Sequence, residues 1–213
     1  MISVIVPYLN ENIKQLGSVK AEILKAIPDC EVIFEYGGKG KGYALRTGSL
    51  YAKGDYIAWL DVDLQITPGR LNSFLKVMNT YDAEAVIGNK RNDYSVIHYS
   101  FLRHIISNSY NLMIRFLFGI SLRDTQCGIK LFKADTLKSI LPKVESNGFA
   151  FDLEVLCLLR DNKHIVMDSP VVVNQRVGIG SAIASNIWNT FVETLRVWNK
   201  HSRGKYIIQK GVI

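Results

Sequence analysis

Across residues 2–88, short apolar, β-branched runs alternate with stretches of helical periodicity, and this alternation constrains the fold more than any other feature. The runs are Ile2 to Pro7, Glu31 to Glu35, Tyr56 to Leu60 and Ala83 to Gly88, each of a length and composition suited to a buried strand. Between them lie helical patterns over about 11–27, 42–52 and Pro68 to Asn79. In the first, Ile13, Leu16, Val19, Ile23 and Leu24 repeat at helical spacing and Asn10 is placed to cap. Strands that alternate with helices of this length require crossover connections, hence an α/β fold with a mostly parallel sheet. Open sheets of this kind bind ligands beyond the carboxyl ends of their strands. Here those ends carry acidic or glycine-rich turns.

The later chain predicts a long helix over 96–120, with His104, Asn108, Asn111 and Arg115 as a polar stripe on an apolar rod. A polar loop and strand follow over 123–133, then short helices over 134–142 and 151–162 and a strand over 165–173. A last amphipathic helix runs from Asn186 to Asn199, with Ile187, Trp188, Phe191, Val192, Leu195 and Trp198 on one side.

At 213 residues the chain is long enough for a single domain with a full core. Its boundaries are read as a catalytic unit over 1–185, split into halves of about 1–90 and 91–185, and a helix with a basic tail over 186–213. The net charge of +7 is uneven. Residues 1–87 sum to −1, 88–133 to +5, 134–198 to −1 and 199–213 to +4. A localised basic excess suits phosphate groups, a membrane surface or nucleic acid. The basic segment carries no motif that reads DNA or RNA, so nucleic acid is not expected as a partner. Cys30, Cys127 and Cys157 stand singly, with neither disulfide nor zinc spacing. No secretory leader and no apolar run long enough to span a bilayer is apparent, so a cytoplasmic setting is expected.

Asp61-Val-Asp63-Leu-Gln65 follows the strand Tyr56 to Leu60 directly. Carboxylates at i and i+2 on a strand end can share one cleft, and Gln65 adds a third oxygen. Such a set suits Mg²⁺ or Mn²⁺ shared with substrate phosphates. Lys39-Gly-Lys41-Gly42 precedes a helix start, where backbone N–H groups and two ammonium groups suit a diphosphate. The spacing is not that of a Walker loop.

Five segments occur in order: Val4 to Glu11, Gly40 to Gly48, Gly54 to Gln65, Asp124-Thr-Gln-Cys-Gly-Ile-Lys-Leu-Phe132 and Phe151-Asp-Leu-Glu154. Together they resemble family 2 glycosyltransferases, specifically the polyprenyl- and dolichyl-phosphate sugar synthases. The resemblance implies a GT-A fold: a Rossmann-like, mostly parallel sheet flanked by helices, here followed by a C-terminal amphipathic helix. It also implies inverting transfer of a hexose from a nucleotide-diphosphate sugar to a polyprenyl phosphate, helped by Mg²⁺ or Mn²⁺. By that resemblance Pro7, Tyr8, Asn10 and Glu11 line the nucleoside pocket. Asp61, Asp63 and Gln65 match the metal and diphosphate motif, with Asp63 central to catalysis. Asp124, Thr125 and Gln126 lie around the sugar and acceptor, and Phe151, Asp152 and Glu154 shape the sugar pocket. Arg176 and Ser181 match a late segment that lies against phosphates. Arg91, Arg115, Arg123 and Arg176 are candidate clamps for the acceptor phosphate. The wording around Asp124 is nearer the glucosyl branch, which makes UDP-glucose the first donor and the GDP-mannose class the second.

The chain departs from the family pattern once. After its second strand the family has an acidic turn, a helix and a further strand before the Gly-Lys-Gly turn. Here Val32 to Gly38 runs straight into Lys39. Glu35 falls where a base-contacting aspartate is expected, with Tyr36 beside it, placed to accept from and to stack on a base respectively. The basic segments, the 96–120 helix and Trp188 and Trp198 predict a protein peripheral to the cytosolic membrane face. With no anchor apparent, a membrane subunit, self-association or direct adsorption would bring it there. Two alternatives stay open: transfer to a hydroxyl acceptor, which needs a base such as Asp124 or Asp152, and a non-catalytic subunit that binds nucleotide sugar or membrane.

Overall fold

A computed structural model describes residues 1–90, 112–119, 124–148, 150–173 and 183–207. Arg91, Arg123, Arg176 and Ser181, the 96–111 part of the long helix and Lys210 lie outside the described residues. So do the side chains of Ile187 and Trp188.

Strand β1 (Ile2–Tyr8) is buried on both faces, as its unbroken apolar run requires. It pairs in parallel with β2 (Cys30–Tyr36) on one side and β3 (Tyr56–Leu60) on the other. Strand β4 (Ala85–Asn89) and β6 (Val166–Pro170) are parallel to each other, and β5 (Ile129–Lys133) lies antiparallel between β3 and β4. The sheet order is β2-β1-β3-β5-β4-β6. The mostly parallel α/β sheet expected from the alternation is present, and the chain reverses direction across it between β1 and β3. Helix α2 (Lys41–Tyr51) makes the crossover from β2 to β3. Strand β2 is the edge of the sheet, and the turn 37–40 joins it to α2 with no helix–strand unit between them.

Helix α1 (Ile13–Ala26) is capped by Asn12, not by Asn10. Asn12 and Gln15 form a reciprocal capping box, with bonds of 3.0 and 2.8 Å. The Glu11 carboxylate folds back to accept from the N–H groups of Leu9 and Asn10, which delays the helix. Ile13 is therefore exposed, and Val19 and Ile23 carry the packing. Helix α3 (Arg70–Tyr81) begins two residues after Pro68. A helical stretch, α4, covers residues 112–118. Helix α5 (Ala134–Ile140), a 3₁₀ turn over Leu141–Lys143 and α6 (Phe151–Asp161) follow β5. The core centres on Trp59, whose indole donates to Ser49 Oγ at 2.9 Å and packs against Phe132 and Phe151.

The last helix, α7 (Ile183–Ser202), does not turn Leu195 and Trp198 of its apolar stripe inward. Thr194 and Val197 are buried, while Leu195 and Trp198 are exposed. Polar contacts set this rotation. Glu193 accepts from Ala150 N–H, Lys200 pairs with Glu145 at 2.6 Å, and His201 meets Asp161 at 2.7 Å. Beyond the helix, Tyr206 is buried and donates to Glu154 at 2.7 Å.

Candidate active site at the carboxyl ends of the strands

The direction change between β1 and β3 opens a crevice at their carboxyl ends, the usual ligand position in such sheets. Asp61 to Gln65 turn there. Leu64 adopts a left-handed φ of 48°, uncommon for a bulky residue and a strain found chiefly at functional turns. The turn is closed by Leu64 N–H to Asp61 O at 3.1 Å. Asp63 accepts from Gln65 twice, from its backbone at 3.2 Å and its side-chain amide at 2.8 Å. The cleft is lined by Asp61, Asp63, Gln65, Ile66, Lys90 and Gly128, among others.

Gly128 shows why the Asp-Thr-Gln-Cys-Gly segment ends in glycine. Its carbonyl accepts from Asp61 N–H at 3.0 Å, and a Cβ on it would lie 2.1 Å from Asp61 Oδ2. Lys41 Nζ meets Asp61 Oδ1 at 2.6 Å. Burial disfavours the Lys41 ammonium, but the carboxylates of Asp61 and Asp152 outweigh it and raise the pKa above the ordinary lysine value. Burial likewise opposes the Asp61 carboxylate, and Lys41 with Lys130 and Lys90 brings its pKa below the ordinary range. Asp63 is raised, by burial and then by the charge of Asp61.

Lys130 and Asp152 form a second pair at 2.7 Å, almost wholly buried, and Lys130 also donates to Cys127 O at 2.8 Å. Asp61, Asp63 and Lys90 line the crevice, Lys41 joins them through Asp61, and the buried Lys130–Asp152 pair lies close enough to act on their charges. Asp124 is buried at its rim and accepts from Lys90 N–H at 3.3 Å. Beside it Thr125 is fully buried, and its hydroxyl has no partner among the described residues. Gln126 is half-buried on the same loop.

The Gly-Lys-Gly turn is built differently from the expected phosphate cradle. Gly42 N–H donates to Asn147 O at 2.8 Å, and Gly40, at φ 110°, lies hard against the same carbonyl. The start of α2 is therefore partly capped by the loop before α6, and Lys41 is the group of that turn that reaches the crevice. Lys39 instead lies over the Tyr43 ring at 5.0 Å. Arg46 fastens the loop through Val144 O at 2.6 Å and Asn147 Oδ1 at 2.8 Å.

Tyr8 and Tyr36 pair at the ends of β1 and β2, with centroids 5.7 Å apart. Pro7 is buried in β1, and Asn10 and Glu11 lie on the turn beyond. Glu35 points to the opposite sheet face, where its Cβ packs near Gly48 of α2. The placement of Glu35 beside Tyr36 at one base is thus corrected: residues adjacent on a strand face opposite sides. Glu154 accepts from Glu145 N–H, Ser146 N–H and Tyr206, so it holds the α6 entry loop and the tail together. Arg115 is exposed on α4.

Among the described residues no three His, Cys, Asp or Glu side chains cluster as metal ligands. Asp63 and Asp61 do fit a hard divalent ion in part, since burial and mutual repulsion raise Asp63 and a cation would relieve both. Such a site supplies one or two carboxylates and takes its other oxygens from phosphates and water, as Mg²⁺ commonly does. Lys90 and Lys130 were not singled out from the sequence. A lysine amid the apolar run Ile129-Lys-Leu-Phe was the available signal for Lys130.

Two solved structures share this fold. Mannosyl-3-phosphoglycerate synthase from Rubrobacter xylanophilus aligns with all of this chain and 78% of its own, at a TM-score of 0.68 and 13% identity. Glucosyl-3-phosphoglycerate synthase from Mycobacterium tuberculosis, in complex with Mn²⁺ and UDP-glucose, aligns with all of this chain and 81% of its own, at 0.65 and 14%. In sequence, a dolichyl-phosphate beta-glucosyltransferase of Trichomonas vaginalis is 29% identical over 164 residues, 74% of this chain and 50% of that protein. The dolichyl-phosphate beta-glucosyltransferase of Saccharomyces cerevisiae is 28% identical over 160 residues, 68% and 48% respectively. The chain spans about half the length of these curated relatives. The family model for glycosyl transferase family 2 matches residues 17–141, from α1 through the Asp61–Asp63 turn to the end of α5, and the chain belongs to that family.

Proposed function

We propose that this protein is an inverting glycosyltransferase that moves a hexose from a nucleotide-diphosphate sugar to a polyprenyl phosphate. UDP-glucose is the first donor and the GDP-mannose class the second. The observation that carries the reading is the crevice lined by Asp61, Asp63 and Lys90, with Lys41 paired to Asp61 and the buried Lys130–Asp152 pair behind it. A site balanced in this way can hold a diphosphate and release it. Residues of about 1–90 supply the donor side, and those of about 91–185 the acceptor side. Asp63, with Asp61 and Gln65, would hold Mg²⁺ or Mn²⁺, which when bound neutralises the charge of the leaving diphosphate. Lys41 supplies fixed positive charge beside it.

A lipid phosphate is already ionised at neutral pH and needs little proton removal. The state of Asp152 supports such an acceptor over a hydroxyl, because its carboxylate is committed to a buried pair with Lys130. Transfer of radiolabelled sugar to polyprenyl phosphate tests the reading. No transfer from UDP-glucose, GDP-mannose or another common donor, with folded protein and Mn²⁺ or Mg²⁺ present, would overturn it.

The acceptor also implies work at the cytosolic membrane surface, by direct adsorption, a membrane subunit or self-association. No helix among the described residues is long and apolar enough to cross a membrane. Exposed Leu112 and Phe116 flank Arg115 on α4, and Leu195 and Trp198 lie outward on α7 near Lys200, Arg203 and Lys205. Phe118 and His201 stack at 5.7 Å and join the two helices. Apolar rings among basic side chains suit an anionic interface. Phe116→Ser with Trp198→Ser should reduce co-sedimentation with anionic vesicles while leaving the unfolding temperature unchanged.

A further inference from the structure

We infer that Tyr206, beyond the end of α7, is a positioning residue for the diphosphate crevice, acting through Glu154 and the 144–148 loop on the first turn of α2; this rests on the donor reading above. The contacts run without a break from one to the other. Tyr206 is 2% exposed and donates its hydroxyl to Glu154 Oε1 at 2.7 Å. Burial, and then the charge of Glu154, push the phenol pKa up, so the proton stays on Tyr206 and the bond keeps its direction. The other oxygen of Glu154 accepts from the backbone N–H groups of Glu145 and Ser146 at 3.1 and 2.7 Å. One residue later the loop meets α2. Asn147 O accepts from Gly42 N–H at 2.8 Å, and its side chain, with Val144 O, holds the Arg46 guanidinium. The same backbone carbonyl lies hard against Gly40, so it grips the residues on both sides of Lys41. Lys41 in turn reaches Asp61 at 2.6 Å.

The loop has little room to shift while these contacts hold. A Cβ on Gly42 would lie 2.5 Å from Phe151 Cβ, and one on Gly148 would lie 2.7 Å from both carboxylate oxygens of Glu193. Lys200 fastens the other side, at 2.6 Å from Glu145 and 3.6 Å from Glu154. Glu154 is fully buried, so without the Tyr206 hydroxyl one of its oxygens lacks a hydrogen-bond donor. The carboxylate then turns toward Lys200, and the loop N–H groups it holds move with it. An interior this closely packed passes a shift on to its neighbours. The first turn of α2 follows the loop, and Lys41 loses its fixed place beside Asp61.

Calorimetric titration of the full chain with UDP and Mn²⁺ tests this. Tyr206→Phe should weaken UDP binding by about 2- to 30-fold, the range for residues that act through a packed network. Glu154→Gln, which keeps one acceptor oxygen of the two, should act in the same direction. Phe74→Leu truncates a buried side chain of α3, which packs on β4, β5 and β6. It should lower the unfolding temperature and leave UDP affinity unchanged. Arg46→Met loosens the loop from α2, so Tyr206→Phe should cost less UDP affinity in that background than alone. Circular dichroism verifies the fold of each variant. UDP affinity unmoved by Tyr206→Phe, a loss no larger than that in Phe74→Leu, or an equal or greater loss beside Arg46→Met overturns the inference and leaves the donor reading standing. Failure of the wild type to bind UDP removes the donor reading and the inference with it.

Discussion

Gly128→Ala should separate ligand binding from folding in this protein. The added methyl would lie 2.1 Å from Oδ2, 2.7 Å from Cγ and 3.2 Å from Cβ of Asp61, and every one of the clashing atoms belongs to that side chain. Rotation of Asp61 about its Cα–Cβ bond carries Oδ2 and Cγ off the methyl and leaves the 3.2 Å contact with Cβ, which a shift of a few tenths of an ångström relieves. In rotating, Asp61 leaves Lys41 and the crevice. The pair it breaks is partly solvated, with the two side chains 28% and 40% exposed, so screening limits its loss to about 0–1 kcal/mol. The restriction that alanine places on the unfolded chain returns about 0.4–1 kcal/mol. Stability should therefore stay within about 1 kcal/mol, or roughly 2–4 °C in Tm. Binding loses a charged group at the diphosphate, worth about 1.5–3 kcal/mol, so UDP affinity with Mn²⁺ should fall roughly 10- to 150-fold. Gly88→Ala is the counterpart. Its methyl would meet Cys127 Sγ at 2.6 Å, Ile129 Cγ2 at 2.7 Å and Val171 Cγ1 at 3.1 Å, all in the buried core. Overpacking there should cost about 1–3 kcal/mol with little effect on UDP. Scanning calorimetry and titration on both variants read the two axes. Wild-type UDP affinity in Gly128→Ala would refute the role given to Asp61.

Three further outcomes are expected. Lys130→Met leaves the Asp152 carboxylate buried without its partner and should cost about 3–5 kcal/mol in urea unfolding, much of it regained when Asp152→Asn is added. Tyr206→Phe removes the phenol held by Glu154 and should cost about 1–3 kcal/mol, loosening the tail to protease first. Burial opposes the Glu31 carboxylate, but Lys53 N–H and Ser3 outweigh it and lower its pKa in the folded state. Its contribution is therefore complete above the ordinary glutamate value, about 4.3, and is lost as pH falls through the lower folded value. Glu31→Gln should make acid unfolding less steep in that window.

Local features of the sequence were legible where one interaction dominates. Tyr56 to Leu60 is a strand with the bounds its apolar run suggests, because polar residues close it on both sides. The Asp61–Asp63 turn lies where ligands meet the sheet, because it directly follows that strand. What was hidden depends on partners far along the chain. The antiparallel insertion of β5 between β3 and β4 is a choice among strands of similar composition. The rotation of α7 is set by Glu193, Lys200 and His201, whose partners lie in or beside α6. Asn10 and Asn12 are equal as caps until Glu11 takes up the N–H groups of the turn. The capping of α2 by Asn147 joins residues about a hundred positions apart and left no mark in either segment.

The place of β5 has a consequence for the segment that precedes it. Strand β4 ends at Asn89 and its antiparallel neighbour β5 begins at Ile129, so the two ends of the segment between them lie side by side. With those ends fixed by the sheet, lengthening the segment adds closure entropy only logarithmically, about 0.6 kcal/mol per doubling. Asp124 and Gly128 at its end are held to Lys90 and Asp61 whatever lies between. A change in the length of the intervening segment would therefore leave Asp124 and Gly128 at their places beside the crevice.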